Sequence, residues 1–126
     1  MVDRLKNKRI LITQAEDFMG PAFKPVFEEE GATVIADTRD LTVPSAAKEL
    51  IDETGHIDVL VANLAAVHSR TSIEDTTDEI WDEMFDEMVH PLHRLVRACV
   101  PQMKERRSGK IIVMGSGTAL RGVADT

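Results

Sequence analysis

Residues 13–20 form the first segment whose residue types could support chemistry. The segment lies between a short apolar run and a helical pattern, where a parallel α/β sheet usually binds a phosphate group. Glycines are common in such turns because they let the phosphate approach the backbone closely. Here Gly20 is the one glycine, and Gln14 and Phe18 carry side chains into the space that a dinucleotide's phosphates and nicotinamide would need. The residues alone therefore predict a poor phosphate site, and they leave open that Phe18 is a core residue at the start of the helix.

Two further residues stand at the carboxyl ends of predicted strands, where parallel sheets gather their ligands. Asp37 follows the second apolar run, about twenty residues after the loop, where an acidic residue commonly accepts the ribose hydroxyls of NAD. Taken alone it favours NAD over NADP, and the alternative is an ordinary turn aspartate. Ser116 follows the last apolar run and could donate a hydrogen bond to a substrate oxygen, or could simply be a loop or cap serine.

The other reactive side chains favour structural roles. His90 and His93 are three positions apart on a helix, but no cysteine or carboxylate is arranged to complete a metal site, so no metal is predicted. Cys99 is the one cysteine, and we expect a small core residue there rather than a reactive thiol. Acidic residues recur along the same stretch and predict a solvated helix face: Glu74, Asp75, Asp78, Glu79, Asp82, Glu83, Asp86 and Glu87.

Composition limits the classes of partner. The net charge of −7 and the pI of about 5.0 oppose nucleic-acid binding, which needs a concentrated basic face. No stretch approaches the roughly 20 apolar residues that span a bilayer, and the N-terminus lacks the apolar core of a secretory signal. We therefore expect a cytoplasmic protein without a nucleic-acid or membrane partner.

The spacing of apolar residues predicts strands and helices in alternation along one domain, residues 1–126. Four runs rich in branched apolar residues are predicted to be strands: 8–13, 32–36, 57–62 and 110–114. Because these strands are apolar throughout and separated by helices, they indicate an α/β fold with a parallel sheet covered on both faces.

The helices between these strands are predicted from apolar periodicity and end signals. The first follows residues 13–20 and ends at Gly31, and Pro25 should delay its start or bend it. The second runs over residues 45–53 with Ser45 as its N-cap and Gly55 after its end. A long helix begins at Thr77, with prolines that should bend it.

Several motifs resemble the short-chain dehydrogenase/reductase superfamily, from its first strand to its fifth. Residues 56–63 look like the strand-four signature, although the usual Asn-Ala-Gly reads Asn63-Leu64-Ala65. Residues 109–113, followed by Ser116, resemble the strand that delivers the catalytic serine. The resemblance implies a Rossmann-like, doubly wound parallel sheet, truncated after the family's fifth strand. It also implies a homo-oligomer formed through the long helix, residues 77–106.

The loop departs from the superfamily pattern in a way that is similar to halohydrin dehalogenases. The superfamily motif Thr-Gly-x-x-x-Gly-x-Gly reads Thr13-x-x-x-x-Phe18-x-Gly20, and Met88 stands where the redox enzymes have an active-site asparagine. Residues 89–94 look like the B-type dehalogenases. In that family an aromatic residue replaces a cofactor-loop glycine, and a halide pocket occupies the nicotinamide site.

This resemblance implies conversion of vicinal halohydrins to epoxides with halide release and without a cofactor, and the reverse opening of epoxides by small anions. Ser116 would be the catalytic residue that hydrogen-bonds the substrate oxygen, and Phe18 and Thr13 would line the substrate and halide pocket. The deprotonating tyrosine and its arginine partner should follow Ser116. Because the chain contains no tyrosine, we expect it to be inactive by itself.

Two alternatives remain open. One is an NAD(P)-dependent oxidoreductase of the same superfamily, whose cofactor would contact Thr13, Gly20, Asp37 and Asn63. The other is a non-catalytic fragment that pairs with a partner because an apolar sheet edge near Val113 is exposed.

Overall fold

Four parallel strands form the centre of the fold in the computed structural model, which describes residues 3–66 and 71–123. The strands are β1 (Arg9–Ile12), β2 (Thr33–Ala36), β3 (Val59–Ala62) and β4 (Lys110–Val113). Their order in the sheet is β2-β1-β3-β4, with Ile10 paired to Val34 on one side and to Val59 on the other. Each strand lies inside a predicted one, so the four strand predictions are confirmed, with ends that coincide or are one or two residues shorter.

Helices cover both faces of this sheet because successive strand residues point to opposite sides. On one face Ile10, Ile12 and Val61 pack with the aromatic residues of α1 (Gly20–Glu29). On the other face Leu11 and Leu60 pack with α2 (Ala46–Thr54) and α4 (His90–Arg106). The predicted doubly wound α/β fold is therefore confirmed.

The first two helices differ from their predictions at their N-terminal ends. Helix α1 begins at Gly20 and continues through Pro25, so the expected late start is wrong. Pro25 is the sixth residue of α1 and lacks an N–H group, so the helix continues without the hydrogen bond that this position would donate to the carbonyl of Pro21. Ser45 occupies the N-cap position of α2, but its side chain makes no capping hydrogen bond. The predicted stop at Gly55 is confirmed by its left-handed φ of +71°.

The long helix is continuous but not uniform. It consists of α3 (Asp78–Met84), a π-helical turn (Phe85–Val89) and α4. Thr77 caps α3, because its hydroxyl oxygen accepts the N–H of Ile80 at 3.3 Å. Pro91 lies in the first turn of α4 and has no N–H for an ordinary helical bond to the preceding turn, which explains a widened turn just before it.

Cys99 lies in the core between the sheet and α4, as predicted. It is fully buried beside Leu95 and Met103. Burial raises the pKa of its thiol, since a buried thiolate would lose its hydration. Among the described residues no helix is long and apolar enough to cross a membrane.

Candidate active site

The carboxyl ends of all four strands meet at one edge of the sheet because the strands are parallel. The chain leaves β1 toward α1 on one face and leaves β3 toward α3 and α4 on the other. Such a divergence of neighbouring connections opens a crevice, and ligands of doubly wound sheets bind there. Asp37 follows β2, residues 13–20 follow β1, Asn63 follows β3, and Ser116 lies close after β4. The fold thus brings the predicted site residues to a single edge.

The loop of residues 13–20 keeps a glycine-like backbone at two positions that hold large side chains. Gln14 has a φ of +43° and Phe18 a φ of +51°, both in the left-handed region. That region is disfavoured for residues other than glycine because the Cβ crowds a carbonyl oxygen. The loop is anchored at its start, where the N–H of Ala15 donates to the carbonyl of Asp37 at 3.0 Å.

Gly20 is required by a close backbone approach. A Cβ added to Gly20 would lie 2.5 Å from the carbonyl oxygen of Ala15, well inside van der Waals contact. The N–H of Gly20 donates to the carbonyl of Asp17 at 2.9 Å, so the loop turns tightly into α1. This glycine therefore sets how closely the loop and the helix pack.

Asn63 holds the loop in place from the neighbouring strand. Its side chain is fully buried, and its Nδ2 donates to the carbonyls of Gln14 at 2.9 Å and Asp17 at 3.0 Å. Its Oδ1 is buried and accepts no hydrogen bond from the described residues. Asn63 was predicted only as a cofactor contact; its bracing role joins residues about fifty positions apart, which local sequence patterns do not encode.

Thr13 and Phe18, the two predicted walls of a substrate pocket, have opposite environments. Thr13 is fully buried, and its hydroxyl donates to the carbonyl of Asn63 at 3.2 Å. It therefore belongs to the frame of the crevice. The Phe18 side chain is 58% exposed, so the alternative that it is a core residue is wrong.

Asp37 lies at the end of β2 in an ion-pair network that the sequence analysis did not foresee. The Nε of Arg39 donates to one carboxylate oxygen of Asp37 at 2.8 Å, and the backbone N–H of Arg39 donates to the other at 3.2 Å. The guanidinium also binds Glu53 at 2.7 Å. Glu53 and then Asp37 raise the pKa of Arg39, and the same contact lowers the pKa of Glu53. The one sequence signal was the basic residue two positions after Asp37.

Ser116 is exposed at the start of a short 3₁₀ turn, Gly117–Ala119. Its Oγ lies 2.9 Å from the hydroxyl of Thr118 and accepts the N–H of Thr118 at 3.3 Å. A hydroxyl held in this way keeps its proton free to donate to Thr118 or to a substrate oxygen. The arrangement is compatible with both the predicted substrate contact and a simple turn cap.

The histidines considered for a metal are far from completing a site. His90 Nδ1 lies 2.8 Å from an Asp86 oxygen, one turn earlier on the exposed face of the helix. Within residues 3–66 and 71–123, no group of three or more His, Cys, Asp or Glu side chains is arranged to hold a metal.

The family model and the curated relatives that match this chain belong to the same family. The profile described as short chain dehydrogenase matches residues 22–126. Dehydrogenase/reductase SDR family member 4 of Mus musculus is 27% identical over 140 residues, covering 89% of this chain and 50% of that protein. The chain therefore spans about half the length of the curated relatives it matches.

Two solved structures extend the likeness to the fold. Serine dehydrogenase from Escherichia coli superposes with a TM-score of 0.82 at 25% identity, covering 93% of this chain and 66% of that one. A structure described as a dehalogenation enzyme superposes with a TM-score of 0.80 at 28% identity, covering 99% and 59%.

These findings correct the prediction that no cofactor is used. The halohydrin dehalogenase resemblance implied an enzyme without one, whereas the matched family and its curated relatives are dehydrogenases and reductases, which typically use NAD or NADP. The altered loop at Gln14 and Phe18 was a weaker guide than the pattern of the whole chain. With its matched profile, sheet order and edge residues, the chain belongs to the short chain dehydrogenase family.

Proposed function

We propose that the protein is an NAD-dependent oxidoreductase of the short-chain dehydrogenase type, and that this chain supplies the adenosine end of its cofactor site. The observation that carries the proposal is Asp37, whose carboxylate lies at the carboxyl end of β2 beside the anchored loop. A carboxylate there accepts hydrogen bonds from the ribose hydroxyls, which favours NAD over NADP.

The residues at the edge fit the cofactor at its ribose end and only partly at its phosphates. Asp37 has further acceptor capacity beside Arg39, since each carboxylate oxygen has two lone pairs. Near the phosphates, the N–H of Gly20 already bonds within the loop and Pro21 has none to offer. Phe18 stands exposed at the same loop.

In this arrangement each residue has a separate task. Asp37 would orient the ribose, and Asn63 would keep the loop in its fold through its two donated hydrogen bonds. Ser116 would donate its proton in a hydrogen bond to a substrate carbonyl or hydroxyl oxygen, fixing the reacting carbon near the crevice. The bound nicotinamide would accept or donate the hydride.

Removal of the Asp37 carboxylate tests the cofactor site. In the Asp37→Ala chain we expect NADH to bind at least tenfold more weakly, since hydrogen bonds to a charged group contribute about 1.5–3 kcal/mol. Fluorescence titration with NADH measures the dissociation constant. Asp40→Ala is the matched control: Asp40 accepts hydrogen bonds from the backbone and side chain of Thr42, and its replacement should leave NADH binding unchanged. Equal NADH affinity in the parent and Asp37→Ala chains would contradict the proposed site.

Halohydrin conversion is a second candidate, supported by the exposed Phe18 and by the likeness to the dehalogenation enzyme. In this case Phe18 and Thr13 would border the pocket for substrate and halide, and Ser116 would bind the substrate oxygen. Because the chain contains no tyrosine, the test is binding: changes in the amide chemical shifts of Thr13, Phe18 and Ser116 on addition of a bromohydrin would favour this candidate.

We also propose that two copies associate through residues 77–106. Trp81 is 53% exposed, and Phe85 and Val89 are exposed one and two turns later on the same side. The first half of this helix carries the acidic residues, whereas Arg94, Arg97 and other basic residues follow in the second half. An antiparallel pairing of two copies would therefore bring opposite charges together around an apolar strip.

Sedimentation velocity over a range of concentrations tests this association. The parent chain should form a dimer whose Trp81 emission shifts to shorter wavelength, because the indole becomes buried. Trp81→Glu should weaken the dimer at least tenfold, whereas Ile73→Glu, at an even more exposed apolar residue before the helix, should not. A parent chain that stays monomeric, with unchanged Trp81 emission, would rule out pairing through this helix.

A further inference from the structure

The side chain of Gln14 bridges the crevice between β1 and β3 with two hydrogen bonds. The Oε1 of Gln14 accepts the N–H of Ala65 at 2.7 Å, and its Nε2 donates to the carbonyl of Ala65 at 3.3 Å. One carboxamide thus joins the segment after β1 to the segment after β3, 51 positions away. The bridge spans the point where the two connections diverge to opposite faces, which is where a dinucleotide enters this kind of sheet.

The backbone of Gln14 is held in an unfavourable conformation to make this bridge. Its φ of +43° is strained for a residue with a Cβ. Asn63 stabilises this conformation of Gln14, because its Nδ2 donates to the carbonyl of Gln14 at 2.9 Å. Strained residues persist only where their surroundings over-determine them, and they concentrate at binding sites and switches.

With Gln14 bonded to Ala65, one buried acceptor of Asn63 receives no hydrogen bond from the described residues. Its Oδ1 is buried and has no donor among the described residues, although buried polar atoms are usually satisfied. When Gln14 bridges to Ala65, both backbone groups of Ala65 are occupied by protein. Release of Gln14 would offer these groups to a ligand in the crevice.

We propose that Gln14 is a latch that determines the affinity for the nicotinamide dinucleotide, an inference that rests on the proposed function. With the carboxamide on Ala65 the crevice is closed, and the dinucleotide binds only after Gln14 releases Ala65. The cofactor therefore has to replace two protein hydrogen bonds. Gln14 therefore affects the affinity for the cofactor without taking part in the reaction.

Replacement of the latch by glycine tests the proposal. Gln14→Gly removes both hydrogen bonds and the left-handed strain, so its dissociation constant for NADH should fall at least tenfold below that of the parent in a fluorescence titration. Gln14→Ala removes the bridge but keeps the strain and should show a smaller gain. Asn7→Gly is the matched control, because Asn7 is also left-handed with a φ of +63° but lies in the turn before β1. It should leave NADH binding unchanged.

The outcomes separate the latch from the cofactor site itself. If parent and Gln14→Gly bind NADH equally and Asp37→Ala weakens both, the latch is wrong and the proposed function stands. If no chain binds NADH, both are wrong. The Ala65 amide signal in ¹H–¹⁵N NMR spectra of the parent gives a test that needs no variant. It should shift on NADH saturation as Gln14 leaves, and an unchanged Ala65 signal at saturation would overturn the latch.

Discussion

Gly20→Ala should lower the free energy of unfolding by about 3 kcal/mol, at the upper end of the cost of an added methyl group in a packed site. The new Cβ would lie 2.5 Å from the Ala15 carbonyl oxygen and 2.7 Å from the Ala15 Cα. These are backbone atoms, so a side-chain rotation cannot relieve the contact. Urea unfolding followed by circular dichroism measures the change.

Gly117→Ala provides the matched control. Apart from its chain neighbours, no atom of the described residues lies within 4 Å of a Cβ at Gly117, so the effect of Gly117→Ala should stay within about 0.5 kcal/mol. If Gly20→Ala is as stable as Gly117→Ala, the loop and α1 are not packed as closely as the structure shows.

Asn63→Ala should also lower the free energy of unfolding by about 3 kcal/mol. It removes two hydrogen bonds, each contributing about 1 kcal/mol, and leaves the carbonyls of Gln14 and Asp17 short of a donor. The loop should then become mobile, and its amides should exchange faster with solvent than those of β3. A loss below about 0.5 kcal/mol would show that the brace contributes little.

Asn63→Asp adds a pH dependence of known sign. A carboxylate at this buried position would face two carbonyl oxygens, so its pKa in the folded chain would rise above the unfolded value of about 4. Its stability is then fully present below pH 4 and is lost as the pH rises toward the folded pKa. Asn7→Asp, in an exposed turn, is the control and should show no such loss. A pH profile of Asn63→Asp stability that parallels the control would contradict this assignment.

The framework of the fold follows from local patterns in the sequence. The apolar run around Ile10 and Leu11 marks a strand buried on both faces, and Gly55 marks a helix end whatever the distant contacts are. Ser45 is the N-cap residue of α2, as its residue type predicts, but its backbone lies in the helical region and its side chain makes no capping bond. The π-helical turn before Pro91 depends on how the whole helix packs, which periodicity does not encode.

The sequence predicts where the residues of the candidate site lie in the fold, but it does not predict the contacts between them. Asp37 and Ser116 could be placed at the edge because strand ends are visible in the sequence. The bridge from Gln14 to Ala65 could not be predicted, since it depends on two loops that meet across neighbouring strands. Phe18 was left open as a core residue because residue type favours burial for phenylalanine, whereas its left-handed backbone in the tight loop leaves the ring exposed.

The prediction that no cofactor is used was wrong because one motif was given more weight than the rest of the chain. Two missing glycines at Gln14 and Phe18 suggested that a dinucleotide could not bind, yet both positions keep the left-handed backbone that glycine would adopt. The backbone therefore turns at both positions in the region that glycine favours.

Mapping of NADH onto the chain by ¹H–¹⁵N chemical shifts tests the proposed cofactor site most directly. We expect the largest shifts at Gln14, Asp37, Asn63 and Ala65, which belong to three strand ends along one edge of the sheet. The amide signals of α4 near Lys104, at the C-terminal end of the helix, should not shift. Shifts confined to α4, or no shifts at saturating NADH, would contradict a dinucleotide site at the crevice between β1 and β3.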